Sequence, residues 1–384
     1  MSRILMLCDW LPPDFGAVGQ YAVGFARELA TAGHAVTLVG FSSTAASEEA
    51  SAEGDGRLIV RRIRRPREDR RDFAARVSWM LRANLALLWG GRRELRSADE
   101  VRFTGSPAYL LHFVMPVAKV LGLRTRYRIT DFHPEWLIAR LGRMPWWLAP
   151  VVGLTKFWRR RVDVVEVIGE DQRRRLAESG VDPARIELRR DPSPVRFEPG
   201  LRPAPPPPAL AGRRIVMYSG NWGIPHDHET FVAGYERFCR SRPSASGVWL
   251  NADGTRLDLV ERELVRRDLP CARTPLAPLA ELPAILTAAD VHLVTLSDAF
   301  VGYALPSKVY ACVASGKPVL FVGSAQSDVH LVCTEGLPAS SYRRVDVGDA
   351  EGVARALQEL LIGASERGRR PVEAGPTAGL EASG

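Results

Sequence analysis

The chain has 384 residues, 46% hydrophobic and 25% charged, enough for two globular domains with cores of their own, and it is neither low-complexity nor fibrous. Five scattered cysteines (Cys8, Cys239, Cys271, Cys312, Cys333) show no CxxC and no framework spacing, which reads as buried free thiols of a cytosolic protein. The formal net charge is +8, no stretch approaches the roughly 20 apolar residues of a membrane span, and the apolar start of MSRILMLCDWLPPDFG is too short for a signal peptide.

In chain order, strands and helices alternate. RILMLCDW (3–10) predicts a strand, QYAVGFARELATAG (20–33) a helix closing on Gly33, and HAVTLVGF (34–41) a buried strand. That is a βαβ unit, and it implies a parallel sheet with a right-handed crossover. Residues 57–76 hold nine Arg against Glu68, Asp69 and Asp72, a balance of +6. Further strands are expected at 99–105, 124–132 and 163–169, each followed by a helical stretch such as EDQRRRLAESG. Between the last two, residues 140–161 hold six basic residues and no acid, interleaved with Trp146, Trp147 and Trp158. No nucleic-acid-binding motif accompanies these arginines, so no nucleic acid partner is expected. Basic residues with Trp on a helical stretch fit an anionic membrane surface, and a solvated charged face over a packing helix accounts for them equally.

The Pro-rich LRPAPPPPALAG (201–212) predicts an extended linker between an N-terminal domain, 1–200, and a C-terminal domain, 213–363. The alternation then restarts: strands at 214–223, 246–255, 290–298 and 318–323, and helices at 228–241, 256–268, 279–289 and 307–316. Residues 364–384 read as a disordered tail. The fold class is α/β: two doubly wound, Rossmann-like sheets facing each other across a cleft, with ligands beyond the carboxyl ends of the strands.

Loops at those ends carry the candidate site. LPPDFGAVG places Gly16, Ala17, Val18 and Gly19 at a helix start, where exposed N–H groups suit an anion or a close ligand, although a plain βα loop accounts for them as well. TDFHPEW sets His133 between Asp131 and Glu135 after a strand, a histidine fit for proton transfer with two carboxylates to orient it. In the second half, SGNWGIPHDH offers Gly220, Asn221, Trp222 and Gly223 as a phosphate-tolerant turn with His226 and His228 nearby, and Asn251 opens a second strand-then-Gly turn, NADG. VGYALPSKVYACVASGKP then brings Tyr303, Pro306, Ser307, Lys308 and Tyr310 to a helix start, with Lys308 a point cation for a diphosphate.

These pieces, taken in order from about residue 3 to about residue 335, resemble the GT-B glycosyltransferases of retaining family 4, in the branch that builds bacterial surface polysaccharides or lipid-linked sugars. The pieces are PPDFGAVGQYAVGFARELATAGHAVTLVG, TGSPAYLL, ITDFHPE, YSGNWG, LAELPAILTAADVHLVTL and PSKVYACVASGKPVLFVG. The resemblance implies transfer of a sugar, with retention, from a UDP- or GDP-sugar in the C-terminal domain. The acceptor, a small molecule or lipid-linked, would lie on the N-terminal domain. It implies no metal and no cofactor beyond the donor, His133 beside the reacting sugar, and a cytoplasmic enzyme, peripheral at the inner face of the membrane. Many members carry two Glu eight residues apart where this chain has Tyr303 and Ala311, and an Arg and a Lys where it reads GNWGIPHDH. The resemblance then implies Lys308, or a histidine, as the group that takes over the diphosphate. A sugar-nucleotide 2-epimerase and a non-catalytic binding member of the same fold are the other readings.

Overall fold

In the computed structural model, which describes residues 1–14, 17–66, 73–242 and 245–367, two separate sheets form. The first holds β1 (Arg3–Trp10), β2 (Ala35–Ser42), β3 (Ser47–Glu53), β4 (Gly56–Arg64), β5 (Glu100–Thr104), β6 (Arg124–Ile129), β7 (Val164–Val167) and β8 (Ile186–Leu188). Its order is β3-β4-β2-β1-β5-β6-β7-β8, parallel throughout except for the β3–β4 hairpin. The inner strands β1 and β2 are almost continuously apolar and buried, as strands covered on both faces must be. α1 (Ala17–Thr31) packs Ala22, Phe25, Ala26 and Ala30 against one face of this sheet. The other face is covered by α2 (Phe73–Gly90), the single turn α3 (Arg92–Leu95), α4 (Leu111–Leu121), α6 (Ala149–Arg159) and α7 (Glu170–Glu178), while α5 (Glu135–Leu141) packs Trp136 and Ala139 against the second domain.

The second sheet contains β9 (Arg214–Asn221), β10 (Ser246–Asp253), β11 (Cys271–Thr274), β12 (Val291–Thr295), β13 (Val319–Val322) and β14 (Tyr342–Val345), all parallel, in the order β11-β10-β9-β12-β13-β14. Around it lie α8 (Glu229–Ser241), α9 (Leu257–Arg266), α10 (Leu282–Thr287), α11 (Lys308–Ala314), α12 (Asp328–Gly336) and α13 (Ala350–Arg367). α13 buries Val353, Leu357 and Leu360 in the core that α8 also lines. It carries the chain through Arg367, so the first four residues of the expected tail are helical; the rest lie outside the described residues. In each sheet the strand order reverses beside the first strand, at β1/β5 and at β9/β12. A doubly wound sheet opens its ligand crevice at that switch point.

The arginine-rich stretch is a strand rather than a free basic face over residues 57–64. β3, a polar strand with no apolar period to reveal it, brings acids alongside. Arg61 binds Glu94 at 2.7 Å and Glu48 at 2.6 Å, and Arg62 binds Glu49 at 2.8 Å. Residues 201–212 run along the C-terminal domain: Ala204 N donates to Ala284 O at 2.9 Å, and Leu210 is fully buried with Ile215 and Trp249.

The two domains touch through a clasp of helix starts. Asp328, at the first turn of α12, accepts from Glu170 N on α7 at 2.9 Å and from Arg190 at 2.9 and 3.0 Å. In return Asp171 on α7 accepts from Asp328 N and Gly302 N, each at 3.2 Å. Each aspartate thus caps the other domain's helix, satisfying N–H groups that a helix leaves open.

Candidate functional site

The N-terminal wall is built at the ends of β1, β5 and β6. Asp9, near the end of β1, accepts a hydrogen bond from Ser106 Oγ in the loop after β5. Burial raises its pKa, and the Ser106 bond only partly offsets this. Asp131 follows β6, with solvent at its carboxylate but protein on either side. The low-dielectric surroundings, then the Asp9 charge, push its pKa up to about 6. The next residue ties the walls together: Phe132 N donates to Tyr303 O at 3.0 Å, and the two rings lie 6.3 Å apart.

His133 is half-buried, and burial together with the Arg159 charge outweighs Glu135 to bring its pKa down to about 4. It is neutral at physiological pH, a hydrogen-bonding group rather than a cation. Glu135, read as one of its orienting carboxylates, is engaged elsewhere. Arg159, only 1% exposed, grips it at 2.5 and 3.1 Å and also donates to the His133 carbonyl at 2.9 Å. Tyr109 holds φ +68, a left-handed conformation that a tyrosine adopts at a cost of order 1 kcal/mol, and it sets its ring 5.9 Å from both His112 and His133. The loop after β1 is partly described: Gly16 lies outside the described residues, and Ala17 and Val18 begin α1. Gly19 is buried where a Cβ would stand 1.5 Å from the Trp10 carbonyl oxygen, so glycine there serves the close approach of α1 to β1.

The C-terminal wall is built at the end of β9. Lys308, the first residue of α11, reaches back so that Nζ donates to Asn221 O at 3.3 Å and sits 3.3 Å from the centre of the Tyr218 ring. This is a cation–π contact on a fully buried tyrosine. Gly220 has φ +114, and a Cβ there would meet Lys308 Cε at 3.5 Å, so glycine keeps the approach to the ammonium clear. Burial lowers the Lys308 pKa well below its ordinary value, and the ammonium has no carboxylate among its described partners. His226, bonded to Thr295 O at 2.7 Å, is brought down to about 3 by burial and then by Lys308, and is therefore neutral.

The expected donor residues divide between these surfaces and the core. Gly220, Asn221, Ser307 and Lys308 are at least partly exposed at the end of β9 and the start of α11, whereas Gly223 is buried. Trp222 does not reach that surface: the ring is fully buried and stacks on Tyr218 at 3.8 Å, because its backbone is pinned between Asp253 O and Arg256 N. Asn251 is also fully buried, with its amide spent on Ser219 at 2.9 Å and Ala277 N at 3.1 Å. Tyr310 donates from its hydroxyl to Ile168 O at 3.2 Å, bracing one domain against the other, and Pro306 is buried beside it. Tyr303 faces the N-terminal domain, under the Arg175 guanidinium at 5.0 Å. Asp9, Tyr109, Arg159 and Tyr218 escape a reading of the sequence. Of these only Asp9 carried a usable signal, a carboxylate at the end of the first strand.

No family model matches the chain. A probable glycosyltransferase of Pseudomonas aeruginosa, WbjE, is 26% identical over 253 residues, 62% of this chain, and the match spans only 61% of that relative's length. Among solved structures, an OtsA structure superposes with a TM-score of 0.64 at 14% identity, covering 95% of this chain and 94% of that one. A trehalose-6-phosphate protein from E. coli, bound with UDP-2-fluoro glucose, gives 0.61 at 15%, covering 95% and 96%. HepE of Anabaena, in complex with UDP and glucose, gives 0.55 at 10%, covering 96% and 95%. At these identities the likeness is one of fold, and the chain has the two-sheet GT-B fold.

Proposed function

We propose that the protein is a glycosyltransferase that moves a sugar from a UDP- or GDP-sugar to a hydroxyl of an acceptor, in polysaccharide, glycolipid or secondary-metabolite glycosylation on the cytoplasmic side. The observation that carries this reading is Lys308: an ammonium held at the switch point of the second sheet by a carbonyl and a ring face, beside a glycine that leaves the approach open. A diphosphate placed there supplies the counter-charge to the Lys308 ammonium. The solved HepE and E. coli neighbours of this fold hold UDP, with glucose or a fluoro-glucose, and the WbjE relative is a probable glycosyltransferase.

In this reading the bond from the sugar's anomeric carbon to the diphosphate oxygen breaks while Lys308 steadies the developing charge, with no metal. The acceptor oxygen, held on the N-terminal wall, bonds to the same face of that carbon, so configuration is retained. Its proton passes to the departing diphosphate. Neutral His133 hydrogen-bonds the sugar, and Asp131, titrating near neutrality, orients the acceptor hydroxyl.

Thermal melts with a panel of UDP- and GDP-sugars test it, alongside an assay for released UDP or GDP. At least one donor should raise Tm by several degrees and be turned over slowly to free nucleotide. No shift with any donor sinks the reading. Conversion of the donor to its 2-epimer without net loss of nucleotide-sugar would make the protein an epimerase, and a shift with neither product would make it a binding protein.

A further inference from the structure

The His133 ring has nothing polar to hold it. Its carbonyl is fixed by Arg159 at 2.9 Å, and Glu135, two residues on, is spent on the same guanidinium. Among the described residues neither ring nitrogen has a hydrogen-bond partner, so both are left for a ligand and only packing sets the plane of the ring. Two half-buried rings supply that packing. Tyr109, on the loop between β5 and α4, has its ring centre 5.9 Å from that of His133, and Trp136, in the first turn of α5, has its centre 6.1 Å away. Both distances lie where aromatic pairs attract. Each ring is backed in turn. Tyr109 lies 5.9 Å from His112, whose Nε2–H donates to Thr155 Oγ1 at 3.0 Å, because the Thr155 hydroxyl already donates to the Val151 carbonyl at 2.7 Å. Trp136 lies 5.7 Å from Phe300 of the C-terminal domain.

The backbone at Tyr109 is an independent observation. Its φ of +68 suits glycine or asparagine and strains a tyrosine. A residue needed only to turn the chain into α4 does this better as glycine, yet this turn carries a large ring, and the ring rests on His133 and His112. Strain of this kind persists where the surroundings over-determine it, and it gathers at functional sites. We propose that Tyr109 is a positioning residue for His133: the left-handed turn brings its ring against the imidazole, and together with Trp136 it fixes the orientation in which the ring nitrogens meet the reacting sugar. Through Trp136 and Phe300 the same clamp reaches the C-terminal domain, so His133 is oriented by contacts from both sides of the cleft. The link to a sugar rests on the glycosyltransferase reading; the packing role does not.

The test compares Tyr109→Gly and Tyr109→Phe with wild type in the full chain, by NMR of labelled histidine rings, with His133→Asn to assign the signal, and by nucleotide release. Removing the ring should move the His133 ring-proton signals, because the Tyr109 ring current is lost. It should also admit water, so that the His133 pKa climbs from about 4 toward the ordinary 6.5. Tyr109→Phe keeps the ring and should leave both as in wild type. In turnover, Tyr109→Gly should lower kcat about tenfold or more with the donor KM within about twofold, and Tyr109→Phe should restore it. In the His133→Asn background, Tyr109→Gly should cost nothing further, since it acts through that ring. His133 signals and titration untouched by Tyr109→Gly, or a kcat loss that adds in full to that of His133→Asn, overturns the proposal. So does a Tyr109→Phe variant as impaired as Tyr109→Gly, which would make the hydroxyl a substrate contact. If wild type releases no nucleotide from any donor, the glycosyltransferase reading falls, and the NMR comparison alone decides the positioning role.

Discussion

Across the cleft, one wall presents two carboxylates, Asp9 and Asp131, and the other presents an ammonium, Lys308. The same cause acts on both. Low-dielectric surroundings raise the pKa of Asp9 and Asp131 and lower that of Lys308, so on each wall the charged form is disfavoured until a ligand meets it. Elsewhere in the N-terminal domain the chain neutralises such groups: Arg128 is paired with Glu166 and with Asp191 at 2.6 Å. Carboxylates at one switch point and an ammonium at the other are what a ligand-binding cleft needs. The difference in sign says which half of a ligand each wall is suited to, an anionic diphosphate on one and hydroxyl groups on the other.

The most direct way to break this comparison is Lys308→Met. If the ammonium serves the diphosphate, nucleotide release from the donor should fall by about 100-fold or more, and the donor-induced Tm shift should shrink with it. The unliganded Tm should not drop, because burial already disfavours the charged lysine. Retained turnover with a lower unliganded Tm would reassign Lys308 to packing over Tyr218 and remove the contrast between the walls.

The clasp is one of the ties that join the two domains. Asp328 is fully buried, and Asp328→Ala leaves Arg190 with Glu335 alone and uncaps the Glu170 N–H, a loss of about 3 kcal/mol. Arg190 keeps partial contact with water, and this sets the figure at the low end for a broken buried pair. Asp171→Asn should cost less than about 1 kcal/mol. The amide oxygen still accepts from Asp328 N and Gly302 N, and removal of a carboxylate that burial disfavours offsets the loss of the 2.8 Å bond its other oxygen accepts from Gln172 N. Melts of the two variants check this, and equal losses would show that the clasp depends on charge at both positions.

Much of this architecture is legible in the chain because buried parallel strands are apolar runs: RILMLCDW and HAVTLVGF fall on strands within a residue, and DVHLVTLSD on one that ends three residues earlier, at Thr295. SEEASAE is not legible. It is an exposed polar edge strand held by Glu48 and Glu49 to arginines across the hairpin, and neither apolar period nor β-branched residues announce it. The site is readable as loops but not as side-chain directions. Glu135 stands two residues from His133 yet turns to Arg159, 24 residues away, and Trp222 lies inside a glycine turn yet points into the core. Such choices are made by distant partners, which local spacing does not encode.

The smallest expected effect separates the members of the N-terminal wall. Asp131 has its folded-state pKa at about 6, above the ordinary 3.8, so its favourable contribution is complete below about pH 4 and is lost as pH rises through about 6. Asp131→Asn should therefore melt slightly higher than wild type at pH 7.5 and no higher at pH 4. Solvent at the carboxylate keeps the difference below about 1 kcal/mol. In activity, His133 with its pKa near 4 stays neutral above pH 5 and gives no limb near neutrality. An acid limb in kcat/KM near pH 6 then belongs to Asp131 coupled to Asp9. It should vanish in Asp131→Asn and persist in His133→Asn even where the rate falls. The reverse pattern would make His133 the titrating group and leave the carboxylates to binding alone.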